Sequence, residues 1–149
     1  MTNLAASPSP PLEDRITFLV HRINAHLMRV TNPKLKDWKV DLTESRLLVA
    51  LLEKGPRTAG DIVRIMALPQ STISHQVKRL ETLGYLSRTT GEADSRVVMV
   101  ALTDAGREVA LQANEHSRGI ALRLLDAIGP DDVERVRAAM KRVDSILSS

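Results

Sequence analysis

Apolar residues recur at helical spacing soon after a polar start. Leu12, Ile16, Leu19, Val20, Ile23, Leu27 and Val30 form one stripe, which predicts an amphipathic helix of about 28 Å. Asn32-Pro33 predicts its end, because the residue before a proline avoids the α region. The stretch Lys34 to Asp41 holds its charges around Leu35, Trp38 and Val40 and reads as a connector with its apolar residues turned inward. Thr43 is then the expected N-cap of a helix whose buried face is Leu47, Leu48, Leu51 and Leu52, stopped by Gly55-Pro56. Thr58 and Asp61 stand in capping-box spacing ahead of Ile62, Val63 and Met66. After only Ala67-Leu68, Pro69 opens another helix with the stripe Ile73, Val77 and Leu80, ended by Gly84. Two short helices across a tight turn are the pattern of a helix-turn-helix.

The period then changes from 3.6 to about 2. Tyr85 to Thr90 and Arg96 to Leu102 predict two strands joined by the polar loop Gly91 to Ser95, with Val98, Val100 and Leu102 on one face. Thr103 is placed to cap a helix reaching Ile128, about 39 Å long, with Val109, Ala113, Ile120, Leu124 and Ile128 along one side. Gly129-Pro130 ends it. Asp131 and Asp132 suit the positive start of a last helix carrying Val133, Val136, Met140, Val143 and Leu147. The expected fold is mostly α with a small β component (α+β), a winged helix-turn-helix with long helices at both ends. Its divisions are a disordered tail over 1–11, an N-terminal helix and connector over 12–42, the winged helix-turn-helix domain over 43–102 and C-terminal helices over 103–149.

Composition narrows the function classes. The chain of 149 residues contains no cysteine, which excludes disulfides, thiolate metal sites and cysteine nucleophiles and fits a reducing compartment. Its apolar runs reach six residues at Leu47 to Leu52 and Val97 to Leu102, against the roughly 20 of a membrane helix. The first residues have no basic-then-apolar leader pattern, so the expected location is the cytoplasm. The net charge is +3, which permits a polyanionic partner. The carboxy-terminal third, residues 108–149, carries 6 basic against 7 acidic residues, so a phosphate-binding face belongs earlier in the chain. Phe18, Trp38 and Tyr85 are its aromatic residues, too few for single-strand binding by stacked rings.

The helix from Pro69 to Leu83 points to double-stranded DNA. Opposite its apolar stripe stand Ser71, Ser74, His75, Lys78 and Thr82, with Thr72 and Arg79 on a flank and Glu81 to the side. That face carries short polar or cationic groups and no acid. Its small hydroxyls let the backbone approach phosphate at a partially positive helix start. In a major groove, Gln70, Thr72, Ser74, His75 and Arg79 would meet base edges and Lys78 a phosphate. In the following hairpin, Asp94 is placed to hold Arg96 by a bidentate bond, presenting a guanidinium to a minor groove. The competing interpretations are a solvated amphipathic face and an ordinary surface ion pair.

The runs L-T-E-S-R-L-L-V-A-L-L-E-K-G-P-R-T-A-G-D-I-V (Leu42 to Val63), L-P-Q-S-T-I-S-H-Q-V-K-R-L-E-T-L-G-Y-L-S-R (Leu68 to Arg88) and D-S-R-V-V-M-V-A-L-T-D-A-G (Asp94 to Gly106) resemble the MarR family of winged helix-turn-helix regulators. The order and spacing of the motifs carry the resemblance. It implies an obligate homodimer in which the first, fifth and sixth helices interlock, a recognition helix over Pro69 to Leu83 and a wing arginine at Arg96. The family often sets a second basic residue beside that arginine, whereas Ser95 and Val97 flank it here. The resemblance also implies a transcriptional repressor on a pseudo-palindromic operator, released by a small effector. Trp38 and Arg46 lie where the family often has an effector pocket. A stacking ring and a cation there would suit a small aromatic or anionic effector, and His116 completes the candidate set. Against this stands a plainer role for both residues, in which Trp38 plugs the connector and Arg46 makes a surface pair.

No metal or other cofactor is expected. His21 and His26 are five apart, about 140° around a helix, and cannot share a face as i,i+4 pairs do. Catalysis finds no support, since G-x-S-x-G, H-E-x-x-H and a Gly-rich phosphate loop are all missing from the chain. Two rival functions are a helical protein-interaction module and a nonspecific architectural DNA binder. An interaction module would have no need of the acid-free face from Ser71 to Arg79 or of Arg96.

Overall fold

A computed structural model describes residues 9–149; most of the tail expected over 1–11 lies outside the described residues. The first long helix, α1, spans Ile16–Leu35. It starts later than the apolar stripe predicts, because Leu12–Asp14 form a separate 3-10 turn and Arg15 is extended. It also runs through Pro33. A proline disturbs the turn before it, but Thr31 and Leu35 are buried and hold that last turn on the core. Asn32 adds a tertiary anchor, its Oδ1 accepting the Leu42 N–H at 2.8 Å. A 3-10 turn over Lys36–Trp38 follows, with Lys39 left-handed at φ 60°.

Helix α2 covers Leu42–Lys54 and is capped by Asp41, two residues ahead of the expected Thr43. Asp41 Oδ1 accepts the Glu44 N–H at 2.8 Å and Glu44 Oε1 accepts the Asp41 N–H at 3.3 Å, a reciprocal capping box. Thr58 and Asp61 form the second box, as their spacing predicts, at the start of α3, Ala59–Met66. Hydrogen bonds from Thr58, and then the Arg64 guanidinium, hold the Asp61 carboxyl below the usual carboxylate range. The turn out of α3 passes through Ala67 in the left-handed region and leads to α4, Gln70–Thr82. Gly84, at φ 84°, lets the chain leave α4 while the Tyr85 N–H reaches back to the Leu80 carbonyl.

Strands β1 (Leu86–Thr90) and β2 (Val98–Leu102) pair antiparallel, with Leu86 opposite Leu102 and Thr90 opposite Val98. Both are shorter than the predicted runs, so the loop spans residues 91–97. Of the predicted inner face of β2, Val100 is buried and Leu102 partly so, while Val98 is exposed. The hairpin has extended past the core by that point. Arg57 bridges to Val100 by two backbone bonds and widens the sheet.

Thr103 caps α5, Asp104–Ile128, by accepting the Gly106 N–H and donating to the Gly84 carbonyl. Gly106 permits this junction. A Cβ there would sit 2.0 Å from the Tyr85 carbonyl oxygen. Helix α6 is Pro130–Leu147.

The core gathers Leu35, Val40, Leu47, Leu48, Leu51, Ile62, Ile73, Val77, Leu80, Leu86, Val100 and Val109 around α2. Elsewhere the apolar stripes lie open. Ile16, Leu19, Val20 and Ile23 on α1, Leu124, Leu125 and Ile128 on α5, and Val136, Met140, Ile146 and Leu147 on α6 are all exposed. So many exposed large apolar side chains on three helices are characteristic of an interaction site. Among the described residues no helix is long and apolar enough to cross a membrane.

Candidate nucleic-acid interface

Helix α4 is anchored by Ile73, Val77 and Leu80, all buried, so its remaining faces are set. Gln70, Ser71, Ser74, His75 and Lys78 are exposed and Thr72 is half-buried beside them. Its first turn holds no acid, and no side chain caps it. The N–H groups there are left to water or to an incoming anion. Among the described residues, neither His75 nor Lys78 is paired with an acid.

Arg79 departs from the sequence expectation of a base contact. Its guanidinium turns back from the outer face, donating through one nitrogen to the Glu44 carboxylate and through the other to the Lys39 carbonyl. The Glu44 side chain is 7% exposed and that of Arg79 40%. Glu44 therefore holds the start of α2 and fastens α4 to it. The D-x-x-E spacing from Asp41 carried the capping signal for Glu44. No local pattern signalled its partner 35 residues away.

The wing matches its expected local chemistry. Asp94 accepts three bonds from Arg96: the backbone N–H at 3.0 Å, Nε at 3.2 Å and a terminal nitrogen at 3.2 Å. These bonds hold the Asp94 carboxyl below the usual carboxylate range. Arg96 itself stays 89% exposed, a restrained cation at the hairpin tip.

The effector candidates separate. Between α1, α2 and α5 lies a cavity of about 300 Å³, lined by Leu27, Thr31, Leu42, Arg46, Val49, His116, Ile120 and Leu124 among others. His116 Nε2 lies 3.2 Å from Thr31 Oγ1, and Arg46 donates to Asn24 Oδ1 at 3.4 Å. Arg46 and His116 thus line the same cavity. Trp38 does not line it. The 3-10 turn lays its ring, partly buried, against the core, and its carbonyl accepts the Tyr85 hydroxyl at 2.9 Å. Trp38 is therefore the connector plug. Thr31 was missed because it looks like one more polar position near the end of a helix. Among the described residues no three potential metal ligands cluster.

The comparisons with known proteins address the same elements. The model of the MarR family matches residues 38–97, from the connector to the wing. The regulator TcaR of Staphylococcus aureus (strain Newman) is 25% identical over 138 residues, covering 89% of this chain and 91% of the relative. Over most of its length the chain is similar to MarR-family regulators, with the family's own pattern concentrated in residues 38–97. Among solved MarR-like structures, CouR from Rhodococcus jostii RHA1, bound to p-coumaroyl-CoA, is 26% identical with a TM-score of 0.78. The match covers 91% of this chain and 95% of CouR. The S. aureus MepR–DNA complex, 17% identical, superimposes with a TM-score of 0.79 over 88% of this chain and 97% of MepR, which supports the winged helix-turn-helix fold.

Proposed function

We propose that this protein is a homodimeric, sequence-specific transcriptional regulator that represses by occupying a pseudo-palindromic operator. The observation that carries the reading is the exposed, acid-free face of α4, set by three buried anchors and flanked by the restrained Arg96. Gln70, Ser71, Thr72, Ser74 and His75 read base edges, Lys78 and the open helix start take phosphates, and Arg96, held by Asp94, enters the minor groove. Residues 43–102 form the DNA-binding domain. The open apolar stripes of 12–42 and 103–149 cover one another across the two-fold axis and space two recognition helices about 10 bp apart. The chain works in the cytoplasm, as a binding protein without catalysis.

The cavity beside Arg46 and His116 takes a small ligand with an apolar, aromatic body and an anionic end. It lies where α1 and α5 meet α2 of the DNA-binding domain, so a ligand with different affinities for two spacings of the heads shifts their population. CouR is a relative seen with an aromatic acyl-CoA.

Selection of bound duplexes from a random library at two salt concentrations tests the reading. An enriched inverted repeat with half-sites about one turn apart is expected. Retention without sequence enrichment would make the protein an architectural binder, and no retention at either salt would overturn the assignment.

A further inference from the structure

We propose that Lys36 and Lys39 form a phosphate-binding ledge beside the recognition helix, so that the connector between α1 and α2 grips the operator backbone together with α4 and the wing. The proposal rests on the DNA-binding reading above. A groove runs between the connector and α4, with Pro33, Lys36 and Lys39 on one wall and Thr72, His75 and Gln76 on the other. His75 belongs both to this wall and to the exposed outer face of α4, so the groove opens towards the side that would meet DNA. A helix about 10 to 12 Å across fills a major groove about 12 Å wide. The strands bounding that groove must then pass along the flanks of the helix, and one flank here is the ledge.

The charge of the groove supports an anionic strand. Both lysines are exposed, and among the described residues neither is paired with an acid. Of the two acids in the groove, Glu44 is buried and paired, while Asp41 is exposed and caps α2. The Asp41 carboxylate accepts the Glu44 N–H, and the Glu44 carboxylate accepts the Asp41 N–H and the Arg79 guanidinium. Asp37, the acid between the lysines in sequence, is not part of the lining. Against the one exposed carboxylate of Asp41, the groove sets two unpaired ammonium groups on flexible stems, which suit phosphate as point charges.

The test compares the full-length wild type, Lys36→Gln/Lys39→Gln and Lys36→Arg/Lys39→Arg on the selected operator, reading log Kd against log salt from about 50 to about 200 mM. Each phosphate contact contributes about 0.9 to the slope. The glutamine variant of the dimer should be shallower by about 1.8 if the two lysines share one phosphate and by about 3.6 if each holds its own. The wild type then loses about 12-fold to about 150-fold more affinity than that variant across the range. The arginine variant should recover the wild-type slope, with base preference and melting temperature alike in all three proteins. A glutamine variant with the wild-type slope overturns the ledge, as does a reduced slope that arginine fails to recover, or a change of base preference in place of slope. Failure of the wild type to bind any duplex would instead bring down the DNA-binding reading itself.

Discussion

Replacing Arg79 by alanine distinguishes a residue that reads DNA from one that positions the reading helix. The guanidinium spans the Glu44 carboxylate and the Lys39 carbonyl, so its removal strands a carboxylate whose side chain is 7% exposed. Breaking a fully buried pair costs about 3 to 5 kcal/mol, and an exposed pair is worth about 0 to 1 kcal/mol. Arg79 is 40% exposed, and Glu44 keeps its bond from the Asp41 N–H, so the expected loss lies between these limits, about 1.5 to 3 kcal/mol per protomer. For a chain of this length that lowers the melting temperature by about 5 to 10 °C. Urea unfolding of the wild type, Arg79→Ala, Glu44→Gln and the double variant closes a cycle. The double variant should lose less than the sum of the single losses, by about 1 to 2 kcal/mol. Operator affinity should fall on all sequences alike, with base preference kept, because α4 loses its tether and no base contact is deleted. Additive stability losses would refute the pairing. Relaxed preference at a single base pair would restore Arg79 to the reading face.

Three further outcomes test different parts of the molecule. Gly106→Ala would place a Cβ 2.0 Å from the Tyr85 carbonyl oxygen, where backbone rather than a flexible side chain must yield; a loss of about 3 kcal/mol or more is expected by thermal or urea unfolding, and a neutral result would show that the α5 junction moves freely. Arg96→Ala should weaken operator binding and flatten its salt slope, and an unchanged slope would remove Arg96 from the backbone and minor groove. The bonds from Arg96 lower the Asp94 carboxyl, so they favour the ionised clamp. The clamp is complete above the unfolded value of about 3.9 and is lost as pH falls through the lower folded value. NMR signals of the Arg96 backbone and Nε groups should therefore hold steady from about pH 8 to about pH 5 and move only below about pH 4.

What could be read in advance was local. The buried triad of α4 is a one-turn repeat, the Thr58–Asp61 box spans three residues, and the Asp94–Arg96 clamp spans two, so each is decided within a turn or a loop. The MarR resemblance rested on the same short motifs. Expectations strayed where a local signal met a tertiary one. Asn32-Pro33 carries a stop signal, yet α1 continues because Thr31 and Leu35 are packed beneath it. Thr43 is a good capping residue, but Asp41 takes the role, and with Glu44 it completes a reciprocal box. Trp38 had the chemistry for an effector pocket, but the 3-10 turn lays it on the core.

The sequence by itself determined the helix-turn-helix, the wing, the outward face of α4 and the apolar stripes left exposed on α1, α5 and α6, because side-chain direction follows from backbone period once one face is buried. Only the tertiary structure decided that Arg79 faces Glu44 and Lys39, that Arg46 and His116 share a cavity without Trp38, and that two connector lysines stand beside the recognition helix. Those meetings join residues tens of positions apart, and they arise from how α1, α2, α4 and α5 pack around one core, a distance that no repeat within a single element encodes.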